Sequence, residues 1–425
     1  MKVAIAGGGI GGLTLALALH SAGIEDVDIY ESSPEFRELG VGINVLPHAV
    51  RELDELGLLG SLAETGIPTA ELTYYTKTGQ RIWSEPRGIR AGYRWPQFSI
   101  HRGELLGLLY RAVLKRLGPE HLHPGHHLLS VGQEKSRVWA EFMSRRGTAR
   151  IPRVEADLLV GSDGIHSVVR QMIHPGEGAP KWNGITMWRG LSEAEPFLSG
   201  RTMIMAGVTR RRVVVYPVSR KHEQRGKALI NWVAELKNAD GRPMSGHDWY
   251  FTARLENVLP HFSSFKFDFL DVPALIRNAK VIYQYPMVDR DPVDTWNKGR
   301  ITLLGDAAHP MYPVGSNGAS QAILDARVLA RELALQSSVE DALAAYDAQR
   351  RPATAKIVES NRKAGPEVCM EIVEERAPQG FSSLDDVITQ TELQEISKKY
   401  KVAAGFDVDT LNSRPSLSVP REQIA

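Results

Sequence analysis

The stretch Gly7-Gly8-Gly9-Ile10-Gly11-Gly12 limits the possible fold of this chain more than any other feature. It separates an apolar run at 2–6, read as a short buried strand, from a second at 10–22, read as a helix; 27–30 reads as the next strand. Together they make a βαβ unit of about 30 residues. Within it Gly7, Gly9 and Gly12 occupy the three glycine positions of a dinucleotide fingerprint, serving a tight turn, close approach of backbone to a pyrophosphate, and close packing of helix on strand. Gly11 lies in the same turn. The helix start offers free N–H groups and a positive dipole end to phosphate. Glu31, nineteen positions after Gly12, ends the second strand, where a carboxylate can accept from both ribose hydroxyls. The apolar start superficially suggests a signal peptide, but five glycines interrupt it and an acidic-ended strand follows in place of a cleavage site.

The rest of the chain supplies a frame for this unit. At 425 residues, two closely joined domains are expected. A formal charge of +1 gives no reason to expect nucleic acid or an anionic membrane as partner, and no run is long and apolar enough to span a bilayer. Cys369 is the single cysteine, which excludes an intrachain disulfide and fits a cytoplasmic protein. No Cys/His cluster has metal-ligand spacing, so no metal is expected. Strand-like runs at 157–160 and 300–304, each followed by a glycine-containing turn, join the first unit in an α/β, Rossmann-like domain formed by 1–75, 100–180 and 287–340. Alternating, aromatic-rich segments at 184–190, 212–218, 228–233 and 281–287 predict an inserted, mostly antiparallel sheet domain of 76–99 and 181–286, with 83–98 a candidate addition to the sheet. Helices follow over 341–402, and the polar, aperiodic tail 403–425 is expected to be loosely ordered.

The fingerprint does not choose between FAD and a nicotinamide. Two further motifs narrow the choice. Leu158-Leu159-Val160-Gly161-Ser162-Asp163-Gly164 leads through Ile165-His166-Ser167 to Arg170, and reads as strand, Asp-Gly turn and helix, with a capped turn holding Arg170 by a salt bridge as its plain structural role. Gly305-Asp306-Ala307-Ala308-His309-Pro310 follows the strand at 300–304, and Pro313-Val314-Gly315-Ser316-Asn317-Gly318-Ala319-Ser320 leads into a helix. Asp306 at a strand's carboxyl end can accept from a polyol hydroxyl. The glycines after Pro313 let backbone approach a flat ring, and the next helix start can stabilise negative charge on it.

This set of motifs resembles the class A flavoprotein monooxygenases, the family of para-hydroxybenzoate and salicylate hydroxylases. The resemblance implies a para-hydroxybenzoate hydroxylase-like fold and FAD as cofactor, with Gly12 and Glu31 at its ADP half, Asp163 beside the pyrophosphate and Asp306 at the ribityl chain. It also implies FAD contacts for Arg102, in Ser99-Ile100-His101-Arg102-Gly103-Glu104-Leu105, and for Arg37, Val41 and Gly42 along the flavin. It carries Ser32, Leu128, Gly315, Gly318 and Ala319 to the cofactor as well. The phrases Trp83-Ser84-Glu85-Pro86-Arg87-Gly88, Gly184-Ile185-Thr186-Met187-Trp188-Arg189-Gly190, Tyr285-Pro286-Met287-Val288-Asp289-Arg290-Asp291-Pro292 and Gly318-Ala319-Ser320-Gln321-Ala322-Ile323-Leu324-Asp325 resemble the family's phenazine-hydroxylating branch. Many members of the family read Gln-Gly-Ala-Asn in the flavin loop; Asn317-Gly318-Ala319-Ser320 departs from that and puts simple phenols in doubt as substrates.

The implied activity is hydroxylation of an aromatic or N-heteroaromatic substrate, with a phenazine carboxylate undergoing decarboxylation as one candidate, using NADH or NADPH and O2 through a C4a-hydroperoxyflavin. The flavin would swing between two positions, which glycines at 40, 42, 315 and 318 would permit. A reductase or halogenase of the same fold, or a non-catalytic FAD-binding scaffold, is the alternative. Monomer and homodimer are both open. Trp188, Arg189, Tyr216, Trp232, Tyr285 and Pro313 are candidate substrate contacts; Arg189 could pair with a substrate carboxylate or with a protein one. His309 is either an acid–base group or a support for its loop. No catalytic base is assigned.

Overall fold

A computed structural model describes residues 1–35, 40–145, 149–238 and 251–419. Its first unit is a parallel sheet with Val3–Ala6 near the centre, between Val27–Glu31 and Leu158–Gly161. Ile301–Leu303 extends it on one side and Leu122–Pro124 on the other, with Asn297–Lys298 as an antiparallel edge. All four residues of Val3–Ala6 are buried, as a strand covered on both faces requires. The helix Ile10–Ser21 is buried over every residue from Ile10 to Leu19, so it packs on more than one side; the helix Gly318–Leu335 lies against it. The strands read at 157–160 and 300–304 thus join the fingerprint strand in one sheet, and all three motifs end at the same edge.

The second unit is an eight-stranded sheet. Its order is Phe251–Thr252, Tyr283–Asp289, Lys181–Ala194, Ala228–Lys237, Arg211–Pro217, Thr202–Val208, Glu71–Tyr75 and Arg81–Pro86. Every pairing is antiparallel except that of Thr202–Val208 with Glu71–Tyr75. Three features depart from the sequence reading. Glu71–Tyr75 belongs to this sheet although 1–75 was assigned to the nucleotide-binding unit. Thr202–Val208, buried along almost its whole length, lacks the polar alternation that would have revealed it. Of 83–98, only Arg81–Pro86 overlaps this sheet; Phe98–His101 pairs with Gly42–Val45 and Ile67–Pro68 in a separate three-stranded sheet.

The eight-stranded sheet has two faces. One buries Trp188, Ile204, Val213, Val215 and Trp232 against Phe262, Phe265 and Ile276. The other presents Met187, Met203, Met205, Val214, Tyr216 and Val233 toward the nucleotide-binding unit.

The carboxyl-terminal region is helical at Val339–Arg362, Val368–Arg376 and Gln390–Ala403. Beyond it, the expectation of a loosely ordered tail does not hold for the described residues. Val408–Ser413 forms a short helix capped by Asp407, Leu411 is fully buried, and Phe406 stacks on His48 with ring centroids 4.8 Å apart. Arg51 donates to the carbonyls of Leu411 (3.3 Å) and Arg414 (2.7 Å), and Arg414 pairs with the buried Glu52. Two apolar anchors five positions apart make no periodic signal, and the polar residues find their partners in distant helices. Leu411→Ala is therefore expected to destabilise the protein by about 2–5 kcal/mol, the cost of a core truncation; urea unfolding showing no change would mean the tail is not docked.

Candidate functional site

At the carboxyl edge of the parallel sheet, the glycine turn shows what each glycine is for. Gly7 has φ +109°, and a Cβ there would lie 2.2 Å from the Ser162 carbonyl oxygen. A Cβ on Gly12 would lie 2.0 Å from the carbonyl oxygen of Gly7, so this residue sets how closely helix approaches strand. Gly9 differs, because a Cβ there would meet nothing within 4 Å. Its open front, at the start of a helix that no side chain caps, is where backbone can approach a diphosphate. Glu31 accepts from the amides of Gly8 (2.8 Å) and Ser33 (2.7 Å), which fixes its carboxylate beside this turn.

The Asp-Gly turn is capped, as the sequence suggests, but it does not hold Arg170. Asp163 accepts from the Ser167 hydroxyl (2.5 Å) and from the amides of Val168 (2.8 Å) and Val169 (3.3 Å), capping the helix Val168–Ile173. Burial nonetheless raises its carboxyl above the ordinary aspartate value, against those three donors. Arg170 does not pair with Asp163. Its guanidinium, almost wholly buried, makes a two-pronged ion pair with Glu177 at 2.6 Å and donates to the carbonyls of Ala307 (3.0 Å), Ala308 (2.5 Å) and Asp291 (3.0 Å). The second motif thereby holds the third.

A second network holds the same loop from the other side. Asp325, fully buried, accepts from the amide of Gly305 (3.1 Å) and from Arg350 Nε (2.7 Å), and is hydrogen-bonded to His309. Burial alone would raise its carboxyl; His309 and Arg350 outweigh that and keep it below the usual aspartate value. His309 is thus engaged as a support for the Gly305–Ala308 turn. Asp306, at the end of Ile301–Leu303, is left facing the cavity and makes no hydrogen bond with any described residue. It is open to the cavity but surrounded by protein. That desolvation raises its carboxyl, opposed by the nearby charges of His309 and Arg102.

Between this loop and the eight-stranded sheet lies a cavity of about 380 Å³. Of the residues singled out in the sequence, Gly9, Gly11, Arg102, Arg189, Tyr216, Asp306, Pro313, Gly318 and Ala319 line it. Gly315, at φ +67°, sits in the adjoining loop, where a Cβ would lie 2.1 Å from the Tyr400 hydroxyl. Gly42 is equally constrained, since a Cβ would meet Asn231 and Val218 at 2.6 Å. Its carbonyl accepts from Arg189 Nη2 (2.5 Å) and Tyr216 (2.9 Å), and its amide donates to Asn231 (2.7 Å). The Val41 carbonyl accepts from the Arg102 amide (2.9 Å). Ser32, 3.2 Å from His127, and buried Leu128 lie off the cavity toward the sheet edge. Arg37 falls outside the described residues.

Two candidate substrate contacts lie on the wrong face. Trp188 donates to Gln284 (2.6 Å) and Trp232 to Ser192 (3.1 Å), both in the core behind the sheet. Strand alternation explains it: Met187 and Arg189 face the cavity, so Trp188 cannot. Tyr285 pairs with Met187 one strand further out and is not among the lining residues. The sequence reading missed Asn44, Met203, Met205, Val214, Val233, Glu235 and Glu367, all of which line the cavity. For the five on the eight-stranded sheet the signal was parity along each strand, with 203 and 205, 214 and 216, 233 and 235 at i and i+2; choosing aromatic residues overlooked it.

The residues present fit FAD. An open glycine front, an uncapped helix start, a fixed acid at Glu31 and an acceptor without a partner at Asp306 stand in one line along the sheet edge. The family model of an FAD-binding domain matches residues 1–361.

The chain belongs to the class A flavoprotein monooxygenases.

Over 361 residues it is 48% identical to a phenazine 1,6-dicarboxylic acid hydroxylase of Lysobacter antibioticus, covering 85% of this chain and 89% of that one. It is 31% identical over 369 residues to a 3-hydroxybenzoate 6-hydroxylase of Aquipseudomonas alcaligenes, covering 85% and 88%. The fold is shared with a Klebsiella pneumoniae protein crystallised with FAD and uric acid, at TM-score 0.72 and 24% identity, covering 97% of each chain. The chain is therefore an FAD-dependent monooxygenase acting on an aromatic substrate, with NAD(P)H as co-substrate. Among the described residues no helix is long and apolar enough to cross a membrane, and no cluster of side chains could hold a metal ion.

Gly12→Ala is expected to release FAD, because its methyl group would force the helix away from the Gly7 carbonyl. The ratio of flavin to protein absorbance after gel filtration checks this, and full retention would refute the steric argument.

Proposed function

We propose that the substrate is a phenazine carboxylate or a close N-heteroaromatic acid, hydroxylated on the ring, with loss of the carboxyl group as carbon dioxide when the attacked carbon bears it. One oxygen atom of O2 enters the ring and the other leaves as water, with NADH or NADPH supplying the two electrons. Bound FAD supplies the oxygen-activating chemistry; the protein supplies placement, water exclusion and charge.

The observation that carries this reading is the pattern of side chains on the cavity face of the sheet. Arg189 pairs with Val233, Val233 with Val214, and Val214 with Met205 across four adjacent strands. Beyond Arg189 this row is apolar, and a flat ring can lie across it. Arg189 stands at its end, and its Nε is buried with no hydrogen-bond partner among the described residues. Burial keeps the Tyr216 hydroxyl protonated beside it. A carboxylate on the ring answers the unmet donor of Arg189. The 48% identical relative, whose name gives a phenazine diacid as its substrate, supports the ring system.

The Asp163 turn borders a second, wider cleft of about 800 Å³ lined by His166, Gln171, His174 and Arg290, among others. We assign it to the reduced nicotinamide dinucleotide. Cys369, buried and without a disulfide, fits a reducing cytoplasm.

FAD-loaded protein in air is expected to oxidise NADH or NADPH much faster with phenazine-1-carboxylate than without, and product mass should show the incorporated oxygen. Absence of stimulation with either nucleotide would overturn the substrate. Arg189→Met should raise KM for the acid about tenfold or more, the worth of a hydrogen bond to a charged group, while FAD remains bound. Val214→Trp should block the slot and abolish stimulation without loss of FAD.

A further inference from the structure

The cavity has a second polar end that the hydroxylation reading leaves unused. One row further along the sheet, Met187 pairs with Glu235 and Glu235 with Arg212. Glu367, arriving from the short turn Gly365–Glu367, meets the same guanidinium. Arg212 gives Nε and Nη2 to Glu235 (3.0 and 2.5 Å) and Nη1 to Glu367. All three side chains are at most 5% exposed, yet both glutamates form part of the cavity wall. Three of the guanidinium's nitrogens being taken, what a ligand meets at this end is carboxylate oxygen. Glu367 Oε1 also accepts from the amide of Gly315 in the flavin loop (3.4 Å).

The opposite end is cationic. The Arg189 guanidinium reaches the carbonyl of Gly42, beside Asn231 and Tyr216. Asn231 and Glu235 lie four residues apart on one strand, roughly 13 Å at a strand's rise per residue; Arg189 itself pairs with Val233, two residues or roughly 7 Å from Glu235, and its guanidinium leans the other way, to the Gly42 carbonyl beside Asn231. A fused tricyclic acid anchored on Arg189 therefore directs its far ring toward the glutamates. A second carboxyl on that ring, as in a 1,6-disubstituted phenazine, would meet two carboxylates sharing one positive charge.

We propose that Glu235 and Glu367 form a proton-gated acid end of the cavity, which admits the second carboxyl of an aromatic diacid only with one proton shared between that carboxyl and Glu367. A monoacid anchors on Arg189 without this requirement. The inference deepens the substrate reading above and rests on it. Burial, opposed by Arg212 and reinforced by Glu235, pushes the Glu367 carboxyl up to about 7, so the proton is already in place below neutral pH. The charged and titratable groups acting on Glu367 or on its arginine are Arg212 and Glu235 from the sheet, Cys369 and Glu371 from the following helix, and Tyr74 and Tyr400 from elements packed beside them. Of these, Glu235 is the ionisable acid that directly shares the guanidinium.

The test is the pH dependence of ligand binding to the FAD-loaded protein, read from the perturbed flavin spectrum without NAD(P)H. Phenazine-1-carboxylate and phenazine-1,6-dicarboxylate are titrated between pH 6 and pH 9. The diacid's Kd should be flat below about pH 7 and rise about tenfold per unit above it, one proton being taken up, while the monoacid's stays constant. In Glu367→Gln, whose amide donates without titrating, the diacid's rise should vanish. The same slope for both acids, a flat diacid profile, or no diacid binding at pH 6 where the monoacid binds would each overturn the gate; these wild-type results need no variant. If neither acid perturbs the flavin at any pH, the phenazine reading fails and the gate fails with it.

Discussion

The site depends on the buried guanidinium of Arg170. It joins the helix after the Asp163 turn to Glu177, to Asp291 and to two carbonyls of the loop that carries Asp306. Leaving such a charge or its partner unpaired in the interior costs about 3–5 kcal/mol, so the arrangement is held as a unit. Asp325, with Arg350 and His309, grips the same loop from behind. Two buried ionic clusters thus fix the position of one short turn. In consequence the Asp306 carboxylate, on the cofactor side of the cavity, is left facing it.

The substrate side follows from a simpler constraint. A strand sends alternate residues to opposite faces, and the four adjacent strands Lys181–Ala194, Ala228–Lys237, Arg211–Pro217 and Thr202–Val208 lie in register. Their cavity-facing residues therefore form rows. One row ends in the Asn231–Tyr216 pair, the next runs from Arg189 through valines to Met205, and the last carries Glu235 and Arg212. Polarity changes along the strands from donor-rich to acid-rich, with apolar surface between. A planar acid can enter such a slot in one orientation, which is what selective oxidation of one ring position needs.

Much of the cofactor side was legible because glycine and aspartate at strand ends do work that few other residues can do. Gly7 and Gly12 read correctly as steric necessities, and Asp306 was legible as a residue at a strand end, where its side chain faces the cavity. The Asp163–Arg170 pair was misread because sequence proximity suggested a local salt bridge, whereas the true partners of Arg170 include carbonyls about 120 to 140 positions away. On the substrate side, Trp188 and Trp232 were attractive for their ring chemistry, but the side each residue faces follows from register, which a single segment does not disclose. Glu367 was invisible in sequence, since a glutamate in a short turn becomes notable only when Arg212, 155 positions earlier, meets it. The packed tail was hidden for the same reason, its anchors being two residues among polar ones.

The most direct test of this account is a crystal structure of the FAD-loaded protein soaked with phenazine-1-carboxylate in the absence of NAD(P)H. The account predicts the tricycle lying over Met205, Val214 and Val233, its carboxylate on Arg189, and its far ring toward Glu235 and Glu367. A ligand whose carboxylate sits at the glutamate end, or one bound outside the space between the flavin loop and the sheet, would contradict it.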